Sequence, residues 1–425
     1  MPAPPEHAVA ESHIIARVHA SVLDVDPQAW NALLAQQAHA TPFMRHEYLA
    51  ALETSGSATP RTGWTPRFLT LWDAGALVAA CPLYLKTHSY GEYVFDWAWA
   101  SAYEQHGVPY YPKALVAVPF TPVPGSRLLA RDATARAQLV QTARQWCMEE
   151  DISSLHLLFA ADEDIATCAD QGLMLRHTVQ FHWQNMAPVA PVVSSEAPSE
   201  WLAMPNRFTS FDDFLASLTQ EKRKKIKQER RRVADAGVTF RCLQGKAIST
   251  GDWDFFYRCY ERTYLEHGNP PYLSRAFFAD MARTMPEAWV LFIAERDGQP
   301  IASSLIAISA CPASATGQKD TEIIAYGRYW GALERVDCLH FEACYYQPLQ
   351  WCIEHGVHRF EGGAQGEHKM ARALLPVQTS SAHWLAHPAF ADAVERFLER
   401  EGEGVDAYLQ SLHERAPFRK TQNPP

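Results

Sequence analysis

Stretches of apolar–polar alternation and stretches of helical spacing take turns along the chain, so strands and helices are expected to be interleaved. Residues 14–25 open with a short alternation that predicts a first strand. Asp26-Pro27 then starts a helix over residues 28–38, with proline in its first turn. A second helix begins at Thr41, whose hydroxyl is expected to cap it. Residues 67–72 and 77–86 read as strands around the hairpin signal Asp73-Ala74-Gly75. An amphipathic helix over 133–150, a strand over 154–159 and a helix over 163–171 carry the pattern to 177–183.

Residues 187–206 break the rhythm with Pro188, Pro191, Pro198 and Pro205 among small and polar residues. This reads as a domain boundary or a long surface insertion. As a boundary it divides the chain into domains 1–200 and 201–425. The second part opens with a helix over 211–218 and a strongly basic helix over 221–233, which ends at Ala236-Gly237. A strand at 238–243 and a helix at 253–267 follow, the latter with Phe256, Tyr257, Tyr260 and Tyr264 on one side. Ser274 caps a helix over 275–285. Strands at 289–296 and 299–309 flank Asp297-Gly298, and 317–320 is a loop. A strand at 322–330, a helix at 339–355 and a strand at 357–361 come next. The last elements are a strand at 380–385 and a helix at 388–400; residues 1–12 and 416–425 are expected to be loose tails.

A length of 425 residues favours two domains, and 47% hydrophobic with 20% charged residues is an ordinary globular composition. The net charge of -10 argues against a basic nucleic-acid scaffold and a DNA partner, while leaving room for a local basic patch. Nine cysteines, an odd number with no Cys-x-x-Cys pair, argue against a disulfide framework and against a zinc site. No metal is expected. No window has the length of a signal-peptide core or of a membrane span, so the expectation is a soluble, cytoplasmic protein, with peripheral membrane association left open.

Three stretches carry candidate chemistry. The first is Phe360-Glu361-Gly362-Gly363-Ala364-Gln365-Gly366-Glu367-His368-Lys369-Met370. Its glycines allow backbone conformations or close approaches that a Cβ hinders. Acid, base and cation stand within a few residues of one another. The stretch reads either as a tight strand-to-helix turn with a solvated charged end or as a reaction centre. The second is the basic helix, with eight cations against Glu221 and Glu229. It is either a solvated face or a binding face for an anion, with Lys222, Arg223, Lys225 and Arg230 as candidates. The third is the aromatic run from His88 to Trp99. It is either core filling or a cleft that holds a polar acceptor through His88, Tyr90, Glu92, Asp96 and Trp97.

The element order of the second part resembles the N-acetyltransferase (GNAT) superfamily, and its residues resemble the FemAB-like branch. The resemblance rests on Lys222, Lys225-Ile226 and Ala236-Gly237-Val238, then on Gly298 with Ile301-Ala302. It continues in Tyr326-Gly327-Arg328-Tyr329-Trp330-Gly331 and in Phe341-Glu342 with Cys344-Tyr345-Tyr346. A family of predicted N-acyltransferases, labelled peptidoglycan biosynthesis or recognition proteins, is similar over roughly 20–415. Its strings here are Pro82-Leu83-Tyr84-Leu85-Lys86, residues 88–97, Pro119-Phe120-Thr121-Pro122, Gly327-Arg328-Tyr329-Trp330 and residues 363–369.

The resemblance implies an α/β fold with mixed sheets, made of two tandem GNAT-like acyl-CoA N-acyltransferase domains with a cleft between them. Two parallel strands, mapped to 322–329 and 357–361, would splay to admit an acyl donor. The loop 331–338 would cradle phosphate at the start of the following helix. Donor-binding residues would be Gly331, Gly363, Ala364, Gln365, Gly366 and Lys369, and the base would be Glu361, Glu367 or His368. His383 would be a secondary partner. The superfamily's pyrophosphate string, Gln/Arg-x-x-Gly-x-Gly/Ala, is absent from 331–337. The resemblance implies an acyl-CoA such as acetyl-CoA as donor, or aminoacyl-tRNA, which members without that string take and which the basic helix would suit; no tightly bound cofactor is implied. The acceptor would be an amine of a cell-envelope precursor, an amino sugar or a related small molecule. The competing reading is a non-catalytic protein that binds a glycan or peptidoglycan precursor on a degenerate form of the fold.

Overall fold

The structure, a computed structural model, describes residues 14–186, 207–311, 322–364, 366–415 and 417–419. The proline-rich segment 187–206, the loop 317–320, the tail 1–12 and Gln365 lie outside the described residues.

The strands are β1 (Ile15–His19), β2 (Trp64–Pro66), β3 (Phe68–Asp73), β4 (Ala76–Cys81), β5 (Leu83–Lys86), β6 (Lys113–Val116) and β7 (Leu129–Ala130). They continue with β8 (Ser154–Ala160), β9 (Met174–Gln184), β10 (Val238–Gln244), β11 (Trp289–Arg296) and β12 (Gln299–Cys311). Three more close the set: β13 (Glu322–Ala332), β14 (Arg359–Ala364) and β15 (Leu375–Leu385). A small sheet has the order β1-β3-β4-β7, and an eleven-stranded sheet runs β10-β11-β12-β13-β14-β9-β15-β8-β6-β5-β2.

The centre of the large sheet interlocks the two ends of the chain. β9, from the first part, pairs with β14 and β15 of the second. β15, from the second part, pairs with β8 of the first. Each part also contains one parallel pair, β6 with β8 and β13 with β14. The result is a tandem GNAT-like α/β protein in which each part supplies a strand beside the other's last parallel strand.

Helix starts follow their caps. Asp26 accepts from the amides of Gln28 and Ala29 at 2.7 and 2.9 Å, and Ser249 forms a capping box with Asp252. Thr41 makes no capping bond; a short 3-10 turn Pro42–Met44 precedes the helix His46–Thr54. The last helix runs Pro388–His413, well past the expected residue 400, since Val394, Leu398 and Leu412 keep an apolar face buried. The expected loose end is held at 417–419, where the amides of Thr219 and Arg419 donate to Pro417 and Ser217.

One buried cluster joins the parts: Trp30, Phe43 and Tyr48 pack with Phe256, Tyr260, Phe277 and Tyr326. Phe256 and Tyr260 are on the helix Thr250–Glu266, on the face that the spacing predicted. Among the described residues no helix is long and apolar enough to cross a membrane, and no group of metal-ligating side chains assembles.

Candidate active site

β13 and β14 pair in parallel through Ile324 with Arg359, Ala325 with Phe360 and Tyr326 with Glu361, and there the pairing stops. On the outer side of β13 the register to β12 slips between Leu305 and Ile306, so Arg328 is an extra, bulged residue. On the far side of β14 the register to β9 slips between Glu361 and Ala364, which leaves Gly362 and Gly363 opposite Phe181 alone. Gly363 has φ +74°, a conformation that glycine takes at no steric cost. The strands therefore part just after Glu361. The gap opens into a cavity of about 230 Å³, lined by Glu361, Gly362 and Gly363, by Gly327, Arg328 and Tyr329, and by Tyr93, Tyr260 and Tyr264.

Glu361 is buried at 5% exposure, and among the described residues its Oε2 has no hydrogen-bond partner. Its Oε1 accepts from Arg359 Nε at 3.1 Å. Burial outweighs that ion pair and pushes the carboxyl up to about 7. Across the ladder stands His182, which burial, then Arg359 and Lys369, bring down to about 3, so it is neutral. A proton acceptor active near neutrality thus sits at the mouth of the split, with one oxygen unused.

Arg328 is a second charged group on the cavity wall. Its Nη2 donates to Phe120 O and Tyr329 Oη, each at 3.2 Å, and the guanidinium lies 5.0 Å from the ring centres of Phe43 and Tyr329. Arg328 belongs to the string Gly327-Arg328-Tyr329-Trp330 and is not among the expected site residues. A cation between Ile323-Ile324-Ala325-Tyr326 and Tyr329-Trp330 was the available signal.

The other candidates of the glycine turn lie outside this cavity's lining. Glu367 is exposed and pairs with Arg415 at 3.1 Å, and Tyr408 donates to it at 3.3 Å. His368 is exposed, with Nε2 3.3 Å from Tyr345 Oη; partial burial, Arg372 and Lys369 hold its pKa below the usual value. The turn at Gly366 (φ +97°) carries both away from Glu361. Lys369 is buried and donates to the carbonyls of Gly362 and Ala364 at 2.7 Å and Gly363 at 3.3 Å. It fixes the end of β14, and burial lowers its pKa to about 8. Ala364 is exposed at the end of that strand.

The loop after β13 lines a separate cavity of about 420 Å³ with Arg262, Trp330, Arg335, Leu339 and His340. Gly331 itself faces the helix Thr250–Glu266, and a Cβ there would lie 1.9 Å from Cys259 O. Its lack of a side chain is explained by packing. The helix that follows, from Leu339 to Glu354, contains a π-turn at Glu342–Tyr346.

The basic helix spans Gln220–Asp235 and buries Ile226, Glu229 and Val233. Acids from elsewhere neutralise part of it. Arg230 pairs with Glu342 at 3.1 Å and Arg232 with Asp337 at 2.9 Å. Lys222 pairs with Glu221, and Arg223 donates to Leu218 O at 3.4 Å. Lys224, Lys225 and Lys227 form no ion pair among the described residues, and Lys225 is close enough to His368 to lower its pKa.

The aromatic run separates into two layers. Glu92 and Asp96 are buried on Lys113, whose Nζ donates to Glu92 at 2.7 Å and also to Asp96. Tyr110 donates to Asp96 at 2.6 Å. Burial pushes Glu92 up to about 7. His88, Tyr90 and Trp97 form an outer chain of edge-on rings, with Tyr90 and Trp97 exposed. His383 belongs to the buried layer, its Nδ1 2.8 Å from His156 Nδ1.

Sheet order, interlocked strands and the split between β13 and β14 define a tandem protein of the GNAT type. Within that class the chain belongs to the FemAB-like family, described as peptidoglycan biosynthesis/recognition, which matches residues 21–190 and 193–420. Among solved structures, FemX aligns at a TM-score of 0.50 with 10% identity, covering 87% of this chain and 98% of FemX. Two more have TM-scores too low to bear on function. One is the C-terminal domain of a putative lysylphosphatidylglycerol synthetase from Agrobacterium fabrum, at 0.48 and 10% identity over 87% of this chain and 94% of that one. The other is a tandem GNAT protein from the clavulanic acid pathway, at 0.43 and 14% identity over 88% and 99%. No curated protein matches the sequence at a significant level. Family and fold support acyl or aminoacyl transfer in cell-envelope synthesis.

Proposed function

We propose that the chain is an N-acyltransferase that forms an amide in the cavity between the parted ends of β13 and β14. The observation that carries this reading is Glu361, a buried carboxyl at the split with one oxygen unpartnered and a pKa near 7. In the reaction an amine of the acceptor attacks the donor's carbonyl carbon. A C–N bond forms, and the C–S bond of a thioester or the C–O bond of an aminoacyl ester breaks. Glu361 takes the ammonium proton before or during attack, and the second proton shed by the attacking nitrogen as the tetrahedral intermediate collapses goes to the leaving thiolate or alkoxide. Backbone amides at Gly363 and Ala364 are the candidates for stabilising the oxyanion.

The donor is an acyl-CoA, such as acetyl-CoA, or aminoacyl-tRNA. The 420 Å³ cavity beside Arg335 and His340 favours the first, and the unpaired Lys224, Lys225 and Lys227 favour the second. The acceptor is an amine of a cell-envelope precursor, an amino sugar or a related small molecule. The two parts of the chain act as two domains, 1–200 on the acceptor side and 201–425 carrying the transfer site. A thermal-shift titration with acetyl-CoA, longer acyl-CoAs and charged tRNA tests the donor. A donor at about 100 times its Kd adds roughly 2.7 kcal/mol of stability. A shift with one of them names the donor class. No shift with any contradicts transfer and leaves a non-catalytic binder of a precursor.

A further inference from the structure

Among the described residues Arg328 is the only cationic side chain on the wall of the 230 Å³ cavity, and no carboxylate pairs with it. Among the described residues its Nε is buried without an acceptor, and its hydrogen bonds all run from Nη2, none from Nη1. Only Nη2 is engaged, on one carbonyl and the hydroxyls of Thr121 and Tyr329. Arg328 is half-buried with its Nε fully buried, and holding a cation partly out of water without a counter-ion is costly. The rings of Phe43 and Tyr329 offset a part of that cost. A planar guanidinium with free N–H groups matches a carboxylate in particular.

Tyr326 stands beside Glu361 in the parallel ladder, Arg328 is two residues further along β13, and both charged groups line the same cavity. We propose that the acceptor is an amine that also bears a carboxylate, an amino acid or the amino-acid end of a larger molecule, with Arg328 binding the carboxylate and Glu361 facing the amine. The proposal rests on the reading of this cavity as the transfer site. A phosphate would bring close to two negative charges to a wall with one cation. The cavity is also smaller than the roughly 300–1,000 Å³ of drug-sized sites, which suits a group of amino-acid size.

Ligand-observed NMR on the full chain tests this without requiring turnover. The probes are glycine, L-alanine and L-lysine, their C-terminal amides, and inorganic phosphate. The acids are expected to bind about 10-fold or more tightly than the amides. Arg328→Gln should abolish that preference, and Arg328→Lys should keep a part of it. Equal binding of acid and amide, binding of phosphate alone, or binding of none of the probes overturns the proposal, and none of these needs a variant to fold. A preference that survives Arg328→Gln also overturns it. Glu361→Gln should keep the preference while losing transfer. If Glu361→Gln transfers normally but the preference holds, the role of Glu361 fails and that of Arg328 stands.

Discussion

At pH 5 the Glu361 carboxyl holds its proton, and by pH 8 it is a buried anion beside Arg359. An unfolded glutamate ionises at about 4.3. Because the folded value is raised, the group's contribution to stability is complete below the unfolded value and is lost as pH rises through about 7. Glu361→Gln keeps the shape and removes the charge, so its melting temperature should exceed that of the wild type at pH 8, with the gain fading by pH 5. Calorimetry at both values checks the sign; an equal shift at both pH values contradicts it. Lys113 makes the opposite case. It is buried between Glu92 and Asp96, so Lys113→Met takes the cation from Asp96, leaves Glu92 only Lys86 at 4.0 Å, and should cost about 3–5 kcal/mol in urea unfolding. At this scale the sequence was only partly readable. Glu361 stood out because it ends a strand ahead of Gly362 and Gly363. Glu367 and His368 looked like its companions because they are near in sequence, but the reversal at Gly366 turns them outward. Glu92 and Asp96 looked like ligand-binding acids in an aromatic run. Their partner, Lys113, is 17 residues beyond Asp96, and no local pattern connects the two.

Elements were more legible than their neighbours. The basic helix was evident from composition, and its apolar stripe, Ile226 and Val233, gives it a buried face. Its surface charge was overstated, because Glu342 and Asp337 come from a region more than 100 residues away and pair with Arg230 and Arg232. Three lysines remain. Replacing Lys224, Lys225 and Lys227 together by Glu should leave the melting temperature within a few degrees, since surface changes cost little. If aminoacyl-tRNA is the donor, the same change should weaken its binding and flatten the salt dependence of that binding. An unchanged slope in a filter-binding titration removes the helix from the interface. Gly331 is a constraint of packing between elements. The backbone of Cys259 occupies the place of a Cβ, so Gly331→Ala should cost about 1–3 kcal/mol. A melting temperature equal to the wild type's would contradict that close approach.

The molecule as a whole is held by the exchange of β9 and β15 across the centre of the sheet. Periodicity reveals strands and not partners, so the sequence suggested two successive domains and gave no sign of this interlock. A chain cut within 187–206 should give parts that fold only together. Co-expressed parts are expected to purify as one species, and each alone should lack a cooperative melt. A sharp melt from residues 1–200 alone would contradict the interlock. The same exchange sets β9 against the end of β14 and so shapes the wall of the split where Glu361 lies. The central claim is that this carboxyl is the base for amide formation. The most direct measurement is the rate of transfer by wild type and Glu361→Gln, followed by mass spectrometry from pH 5 to 9 with the donor that the thermal shift identifies. The wild-type rate should rise with pH through about 7 as Glu361 ionises. The variant should be slower by about 10²–10⁴-fold with its fold intact. A variant that transfers at the wild-type rate with the same pH profile would contradict the account.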